Sequence, residues 1–236
     1  MRVLTSECSQ SNMIRGVLFD LDGTLINSID CYWLAFNGGL EKFKLGPVDV
    51  PTIASHLDKG ARIRDILMAI CPSLDEAAWL NLQKEIRDVY INLEKEHVRL
   101  LPGARELLAA LKSRGIKVGI ATSRMTKDDG KWRDVRRFGL ADFIDVVVTA
   151  ADSKPKPAPD TVIECVKQLG LETGQCIFIG DSTCDIVAAR EAGMISFAVT
   201  TGVGIKPDLI AAGPEAVFDN LNELAPHLER LTSTTS

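Results

Sequence analysis

Short apolar runs alternate with longer amphipathic segments over much of the chain. Strand-like runs lie at residues 15–19, 117–121, 145–149, 176–179 and 196–199. Helical spacing of apolar residues lies at 104–113, 127–138, 159–169, 185–192 and 221–228. Strands that alternate with helices predict an α/β fold, in which a doubly wound parallel sheet carries helices on both faces.

The alternation of strand-like and helical segments disappears between residue 26 and about residue 100. Segments 30–44, 61–70 and 74–96 have helical spacing without the strand signals found elsewhere. The pattern therefore predicts a helical region between the first strand and the rest of the sheet.

Two carboxylates follow the first strand-like run. Asp20 and Asp22 are separated by a single residue, Leu21, and Gly23 comes directly after them. We expect Gly23 to break the strand and to leave both acids at the carboxyl edge of the sheet, where open α/β sheets bind ligands. Residues i and i+2 of a strand point the same way, so both acids can reach one ligand. A bound cation or a shared proton would relieve their repulsion, although Asp-Gly alone favours an ordinary solvated turn.

Further polar residues follow the later strand-like runs. Thr122 and Ser123 follow the second run, Asp181 and Asp185 follow the fourth, and Lys156 lies between them. A parallel sheet brings the ends of its strands to one edge, so these groups are expected to meet Asp20 and Asp22 there. Four acids, a hydroxyl pair and a lysine together predict a metal-assisted phosphate site.

Three of these residues have alternative interpretations. Asp185 is also suited to cap the helix that follows it, because Asp is a favoured N-cap residue. Lys154 could be the ligand in place of Lys156, but its position favours a solvated loop charge. Ser123 would contribute either a backbone N–H or only a turn hydroxyl.

Four motifs in this order resemble those of the haloacid-dehalogenase superfamily, specifically its phosphoglycolate-phosphatase-like branch. The resemblance covers residues 14–224 and implies that Asp20 is the nucleophile and Asp22 the general acid/base. It also implies that the hydroxyl of Thr122 binds the phosphoryl group and that Lys156 stabilises its charge. The chain departs from the branch at Pro155, which stands where the relatives usually carry Gly.

The resemblance also implies a metal cofactor and a chemical class of substrate. Mg²⁺ would be held by the carboxylate of Asp20, the backbone carbonyl of Asp22 and Asp181, and we include Asp185 of the same acidic motif among the metal residues. An acid at position 22 indicates a leaving alkoxide that must be protonated, because carbon–halogen-cleaving relatives carry Tyr there. Phosphonate-cleaving relatives carry Ala there. The implied substrate is therefore a phosphate ester.

The helical region resembles the all-helical cap that this family inserts after its first motif. The expected fold is a Rossmann-like α/β core, residues 13–27 and 100–231, with an inserted cap, residues 28–99. Residues 1–12 and 232–236 are expected to be disordered tails. In the cap, Lys59, Arg62 and Arg64 are candidates for contacts with an anionic group of the substrate, and an ordinary charged loop is the equal alternative.

Composition narrows the class of protein further. The net charge of −5 gives no support for a nucleic-acid partner, and 46% of the residues are apolar, enough for a sizeable core. The N-terminal residues lack the apolar stretch of a secretory signal, and no apolar run approaches the ~20 residues that span a bilayer. Six scattered cysteines without C-x-x-C spacing fit a reducing compartment, so we expect a cytoplasmic protein.

The sequence thus predicts a Mg²⁺-dependent phosphatase that hydrolyses a small phosphorylated metabolite through an aspartyl-phosphate on Asp20. Phosphoglycolate is the leading substrate, and a monomer or homodimer that binds no membrane is expected. One alternative is a sugar-phosphate phosphotransferase or mutase, in which Asp22 helps return the phosphoryl group to a second hydroxyl. Another is a non-catalytic phosphate-sensing or binding protein on the same scaffold.

Overall fold

The computed structural model describes residues 13–232, in which eight strands and ten α-helices lie. The strands are β1 (Gly16–Phe19), β2 (Ile26–Asn27), β3 (Arg99–Leu100), β4 (Lys117–Thr122), β5 (Val146–Thr149), β6 (Cys176–Gly180), β7 (Ile195–Val199) and β8 (Ala216–Phe218). The helices are α1 (Ile29–Lys42), α2 (Val50–Asp58), α3 (Ile63–Ile70), α4 (Glu76–His97), α5 (Ala104–Ser113), α6 (Arg133–Arg137), α7 (Asp160–Gln168), α8 (Thr183–Glu191), α9 (Lys206–Ala212) and α10 (Leu221–Thr232).

Six of these strands form one parallel sheet in the order β5-β4-β1-β6-β7-β8. Strand β1 lies in the middle, where Phe19 pairs with Ile120 of β4 on one side and with Ile179 of β6 on the other. Counted along the chain, this is the Rossmann order 3-2-1-4-5-6, in which the direction of winding reverses beside the first strand. The ends of β1 and β6 therefore flank the switch point, where ligands bind in such sheets.

Both faces of the sheet are covered, as the continuous apolar strands require. Val17 and Phe19 of β1 face a cluster that includes leucines of α5 and α10. Leu18, between them, faces the opposite cluster, which includes apolar residues of α7 and α8. This period of two fixes β1 between two layers of helices, so its carboxyl end is held rigidly.

Helices α1 to α4 pack around a separate apolar cluster, which includes Phe36, Leu40 and Ile66. The chain enters and leaves this region through β2 and β3, which pair antiparallel with Ile26 opposite Leu100. Helix α1 lies close against α4 because Gly39 has no side chain: a Cβ there would stand 2.5 Å from Cγ1 of Ile86. We call α1 to α4 the helical insertion.

The predicted fold class, an α/β parallel sheet with an inserted all-helical cap, is confirmed. The division into a core at 13–27 and 100–231 and a cap at 28–99 stays a prediction. The expected disordered tails, 1–12 and 232–236, lie outside the described residues apart from Thr232. This residue ends α10, and its side chain is buried.

Several elements differ from the sequence prediction. Helix α2 was not expected; Pro51 stands in its first turn, where the missing N–H costs nothing, and the Asp49 side chain caps it. The single helix expected at 127–138 is a 3-10 helix followed by the short α6, because Asp-Asp-Gly at 128–130 favours a turn. Helix α9 and strand β8 were also not expected.

Two general expectations concern the membrane and disulfides. Within residues 13–232, the structure contains no helix that is both long and apolar enough to span a bilayer. The five cysteines in this range are all buried and free, so they act there as small apolar side chains.

Candidate active site

Three carboxylates converge at the switch point of the sheet. Asp20 follows β1 and Asp181 follows the neighbouring β6, while Asp185 lies in the first turn of α8. One oxygen of each carboxylate lies within 4.8 Å of the others, and all three residues are buried. We call these three residues, together with Lys156, the acidic cluster.

Lys156 is the cation of this cluster. It reaches in from the loop before α7, with its side chain only 2% exposed, and Nζ donates to Asp20 Oδ1 at 2.6 Å and to Asp185 Oδ1 at 2.5 Å. Burial lowers the pKa of Lys156, but the two carboxylates outweigh burial and raise it above its ordinary value. The ammonium therefore stays charged. Lys154, two residues earlier, is exposed.

Helix α8 begins before Asp185. Ser182 is its N-cap: its hydroxyl oxygen accepts from the N–H of Asp185 at 3.3 Å, while Asp185 Oδ2 accepts from the N–H of Ser182 at 3.2 Å. This reciprocal capping box corrects the alternative interpretation of Asp185 as the N-cap. Since Ser182 supplies the cap, Asp185 Oδ1 is left to face Lys156.

Asp181 is held by groups that approach it very closely. Its oxygens accept from the Thr24 hydroxyl at 3.0 Å and from the backbone N–H of Val203 at 2.9 Å. A Cβ on Gly23 would stand 2.4 Å from Asp181 Oδ2, and one on Gly202 would stand 1.9 Å from it. Only glycine fits at these two positions, so the backbone itself encloses this carboxylate.

The cluster carries more negative than positive charge. Burial, followed by the neighbouring Asp185 and Asp22, raises the pKa of Asp20 to about 7 against the opposing effect of Lys156. Burial and the charges of Asp185 and Asp20 likewise raise the pKa of Asp181 well above its ordinary value. Three buried carboxylates with one ammonium lack compensating charge, and their oxygens suit a hard divalent cation. The residues therefore fit a divalent metal.

Asp22 lies in a different setting from Asp20. Arg124 grips both of its oxygens, with Nε to Oδ2 and Nη2 to Oδ1 each at 2.6 Å, and the Ser28 hydroxyl donates to Oδ1 at 2.6 Å. Burial raises the pKa of Asp22, but Arg124 and then Ser28 outweigh burial, so the pKa lies below its ordinary value. The carboxylate of Asp22 is therefore ionised and fully engaged in this structure.

Arg124 connects Asp22 to further side chains. Its Nη1 donates to the buried Asp134, and its Nη2 donates to the hydroxyl of Tyr90 on α4 at 3.0 Å. We call Asp22, Arg124, Asp134 and Tyr90 the arginine cluster. It joins the core to the helical insertion directly beside the acidic cluster.

Thr122 and Ser123 lie at the end of β4, on the same edge of the sheet. Thr122 is buried, and its hydroxyl oxygen accepts from the backbone N–H of Arg124 at 3.3 Å. Ser123 is exposed. The strand order thus brings the hydroxyl of Thr122 to the edge that carries Asp20.

The candidate cap residues lie outside the acidic cluster. Lys59, Arg62 and Arg64 are exposed; Arg62 pairs with Asp65 at 3.2 Å and Arg64 with Glu76 at 3.0 Å. The segment they belong to nevertheless contacts the core through two neighbours.

Asp58 and Gly60 make these contacts. Asp58 accepts from the N–H and from the hydroxyl of Thr183, each at 2.8 Å. Thr183 is the first residue of α8 and lies between Asp181 and Asp185 in the chain. Gly60 lies against Lys156, whose backbone oxygen would stand 2.6 Å from a Cβ on Gly60. The insertion therefore rests on the loops that carry Lys156 and Asp181.

A model of the haloacid dehalogenase-like hydrolases matches residues 17–199, most of the chain. The chain belongs to this family. The phosphoglycolate phosphatase of Rhodospirillum rubrum is 31% identical to this hydrolase over 92% of this chain and 91% of its own. That of Shigella boydii is 27% identical over 91% of this chain and 92% of its own.

Two solved structures have the same fold as this chain. A predicted phosphoglycolate phosphatase from Haemophilus somnus matches with a TM-score of 0.81 at 24% identity, over 91% of this chain and 98% of its own. A β-phosphoglucomutase from Clostridium difficile matches with a TM-score of 0.77 at 25% identity, over 93% and 97%. The predicted family and the prediction of an enzyme are confirmed, and the relatives support a phosphatase.

Sequence reasoning about this hydrolase missed several residues of the site. Arg124, Tyr90 and Asp134 were given no role, and neither were Ser28 and Asp58. Arg124 had a usable signal, since it follows Thr122 and Ser123 at the end of a buried strand. The others gave none. Tyr90, Asp134 and Asp58 meet their partners through the packing of the insertion or of α6 against the sheet, and Ser28 meets Asp22 across the turn that follows β1.

Proposed function

We propose that this hydrolase is a Mg²⁺-dependent phosphatase that cleaves a small phosphate monoester through an aspartyl-phosphate on Asp20. The observation that carries the proposal is the acidic cluster: a buried carboxylate beside a buried, charged Lys156, with two more carboxylates within metal-binding reach. Phosphoglycolate is the leading substrate, supported by the names of the curated relatives.

The metal would be held by the carboxylates of Asp20, Asp181 and Asp185, together with the backbone carbonyl of Asp22. When bound, Mg²⁺ would neutralise negative charge on the carboxylates and on the phosphoryl oxygens, so that two anions can approach each other. Lys156 adds a fixed positive charge at the same place, and Thr122 adds a hydroxyl that can donate to a phosphoryl oxygen.

The reaction proceeds in two steps at phosphorus. In the first, an oxygen of Asp20 forms a bond to phosphorus while the bond to the leaving oxygen breaks, and Asp22 gives that oxygen its proton. In the second, Asp22 takes a proton from a water molecule, whose oxygen attacks phosphorus and releases Asp20 and inorganic phosphate. Asp20 and Asp22 end in their starting states.

The ion pair with Arg124 bears on both steps. It keeps Asp22 ionised, which is the form required to take a proton from water in the second step. The first step requires the protonated form, so we expect Asp22 to take up a proton from solvent on one oxygen as substrate binds. That oxygen turns to the leaving oxygen, while Arg124 keeps hold of the other. The long reach and two-point grip of an arginine permit such an exchange of partners.

A sugar-phosphate phosphotransferase or mutase is the second candidate, and the likeness to the β-phosphoglucomutase fold favours it. It would use the same Asp20 and return the phosphoryl group to another hydroxyl instead of water. A non-catalytic phosphate-binding role is less well supported, because binding needs no carboxylate poised as nucleophile.

The other predictions remain part of the proposal. We expect a small phosphorylated metabolite as the partner, no nucleic acid, a cytoplasmic location, and a monomer or homodimer. Lys59, Arg62 and Arg64 stay candidates for the substrate's second anionic group. Arg62 and Arg64 would have to exchange their acidic partners, Asp65 and Glu76, for it.

Phosphate release from a panel of monoesters tests the proposal, measured with added Mg²⁺ and with the metal removed by a chelator. The panel contains phosphoglycolate, hexose phosphates, nucleoside monophosphates and an aryl phosphate. We expect metal-dependent release, fastest from phosphoglycolate. Interconversion of hexose phosphate isomers without release would select the mutase, and silence on every substrate would reject both enzymes.

A further inference from the structure

Arg124 is the most highly connected cation among the described residues outside the acidic cluster. Its side chain is 11% exposed, and its three nitrogens reach four groups: both oxygens of Asp22, one oxygen of Asp134 and the hydroxyl of Tyr90. Most of its N–H donors are thereby used within the protein. A direct grip on substrate is therefore not its main role.

Asp134 fixes the far side of this guanidinium. It lies at the start of α6, its side chain is 5% exposed, and its second oxygen makes no hydrogen bond with the described residues. Two more arginines stand near that oxygen, Arg133 at 3.6 Å and Arg137 at 4.0 Å. A buried carboxylate so placed anchors Arg124, and the arginine in turn sets where Asp22 lies.

Tyr90 connects the same arginine to the helical insertion. Its hydroxyl accepts from Arg124 at 3.0 Å, and its ring packs on Tyr32 of α1 with centroids 4.8 Å apart. Tyr32 and Tyr90 belong to the insertion, whereas Arg124 and Asp134 belong to the segment after β4. Arg124, which holds Asp22, is therefore also a residue through which the core contacts the helical insertion.

We propose that Arg124 is a positioning residue that places Asp22 for proton transfer to the leaving group, and that Tyr90 makes this placement depend on the docked insertion. This inference rests on the proposed phosphatase function and deepens it. Arginine suits the role better than lysine, because only its planar fork can hold two carboxylate oxygens at once.

The proposal predicts an effect that depends on the leaving group. An alkyl alkoxide, such as that of phosphoglycolate, needs a proton as it leaves, whereas a dinitrophenolate leaves readily without one. A variant that misplaces Asp22 should therefore slow the first substrate far more than the second. A variant that merely loosens the fold should slow both alike.

The experiment compares kcat and KM of Arg124→Lys and Tyr90→Phe on phosphoglycolate and on 2,4-dinitrophenyl phosphate. For Arg124→Lys we expect kcat on phosphoglycolate to fall by about 100-fold, the lower range for a lost general acid, and kcat on the aryl ester to fall by less than about 5-fold. For Tyr90→Phe we expect a loss of roughly 3- to 10-fold on phosphoglycolate alone. KM should change little in either case.

Thr183→Val is the control matched to Tyr90→Phe. The hydroxyl of Thr183 also joins the core to the insertion, through Asp58 at 2.8 Å, but it contacts neither Asp22 nor Arg124. Its ratio of the two kcat values should equal that of the parent. If Arg124→Lys does not fold, Tyr90→Phe carries the test, because it removes only one hydroxyl.

Equal losses on both substrates, or a rise in KM with kcat unchanged, would overturn the positioning role while leaving the phosphatase intact. A parent protein that hydrolyses neither substrate would instead overturn the proposed function and this inference with it. The two failures are thus distinguished by the parent alone.

Discussion

Asp20 and Asp22 stand two residues apart, yet their surroundings differ in sign. Asp20 lies among two further carboxylates with a single ammonium, and its pKa is raised to about 7 by burial and the neighbouring acids. Asp22 lies between an arginine and a hydroxyl, and its pKa is lowered by them despite burial. The carboxylates around Asp20 outnumber their one cation, Lys156, whereas the charge of Asp22 is compensated by Arg124.

This difference suggests how two identical side chains acquire two roles. The uncompensated cluster around Asp20 is stabilised by whatever brings positive charge, which favours a metal ion. The charge on the carboxylate of Asp22 is already compensated by Arg124, and Asp22 can exchange a proton once Arg124 releases one of its two oxygens. Environment, not residue type, separates the proposed nucleophile from the proposed acid and base.

Removal of each carboxylate should separate the two roles most strongly. Asp20→Asn deletes the nucleophile, so we expect kcat to fall by at least about 10⁴-fold on every phosphate ester, as found for nucleophiles of other hydrolases. Asp22→Asn should cost about 10²- to 10⁴-fold on phosphoglycolate but much less on 2,4-dinitrophenyl phosphate. Steady-state phosphate release measures both, and the same loss from both variants on both substrates would erase the distinction.

The pH dependence of stability should have opposite slopes for the two acids in metal-free protein. Between pH of about 4 and 7 the folded state keeps on Asp20 a proton that the unfolded chain has lost, so stability falls as pH rises through this window. The loss is at most about 4 kcal/mol for a pKa raised from 3.8 to about 7. Asp22 has a lowered pKa in the folded state, so its contribution to stability is fully present above its ordinary pKa. This contribution is lost as pH falls from there through the lowered pKa.

Urea unfolding of chelator-treated protein at several pH values measures these slopes. Asp20→Asn should flatten the decline between pH of about 4 and 7, whereas Asp22→Asn should leave that decline in place. Added Mg²⁺ should restore stability most at and above pH 7, where Asp20 is ionised. A decline that survives Asp20→Asn unchanged would assign it to another group.

The next prediction concerns Lys156, the cation that bonds Asp20. Lys156→Met removes the only cation that bonds Asp20 among the described residues, and we expect a loss of about 3 kcal/mol of transition-state stabilisation, roughly 100- to 1,000-fold in kcat. Lys154→Met, at the exposed lysine two residues away, is the matched control and should behave like the parent. Equal activity of the two variants would contradict the role of Lys156.

The smallest expected effect concerns the contact of the insertion with Thr183, at the start of α8 beside the acidic cluster. Asp58→Ala leaves the N–H and hydroxyl of Thr183 without their acceptor, at a cost of about 1 to 2 kcal/mol in the free energy of unfolding. A double-mutant cycle with Thr183→Val measures the coupling. Additive effects would mean that this contact contributes nothing of its own.

The sequence supports the prediction of the acidic cluster because each of its acids follows a strand or begins the helix after one. Parallel strands bring such positions together whatever the details of the loops. Arg124 could not be paired with Asp22 in this way: the two are 102 residues apart, and both oxygens of Asp22 had several possible partners. Their ion pair depends on β1 and β4 being neighbours and on how α6 and α4 pack beside them.

Local sequence also misled in two places, each for a physical reason. Segment 50–58 was given no helix, although its proline lies in the first turn of α2, where proline is compatible with a helix. The charged segment at 127–138 suggested one exposed helix, but the turn at Asp128 and Gly130 divides it, and its second half carries the buried Asp134. Apolar spacing alone does not reveal a buried acid whose partner lies elsewhere in the chain.

Identification of the phosphorylated residue tests the central claim most directly. Asp22→Asn, which should form the intermediate from 2,4-dinitrophenyl phosphate but hydrolyse it slowly, is mixed with that ester and Mg²⁺, quenched in acid and digested. Mass spectrometry then locates the phosphoryl group. We predict that it lies on Asp20 and is missing when Mg²⁺ is omitted. Turnover of the ester with no phosphoryl group on Asp20, or with the group on another residue, would contradict the account.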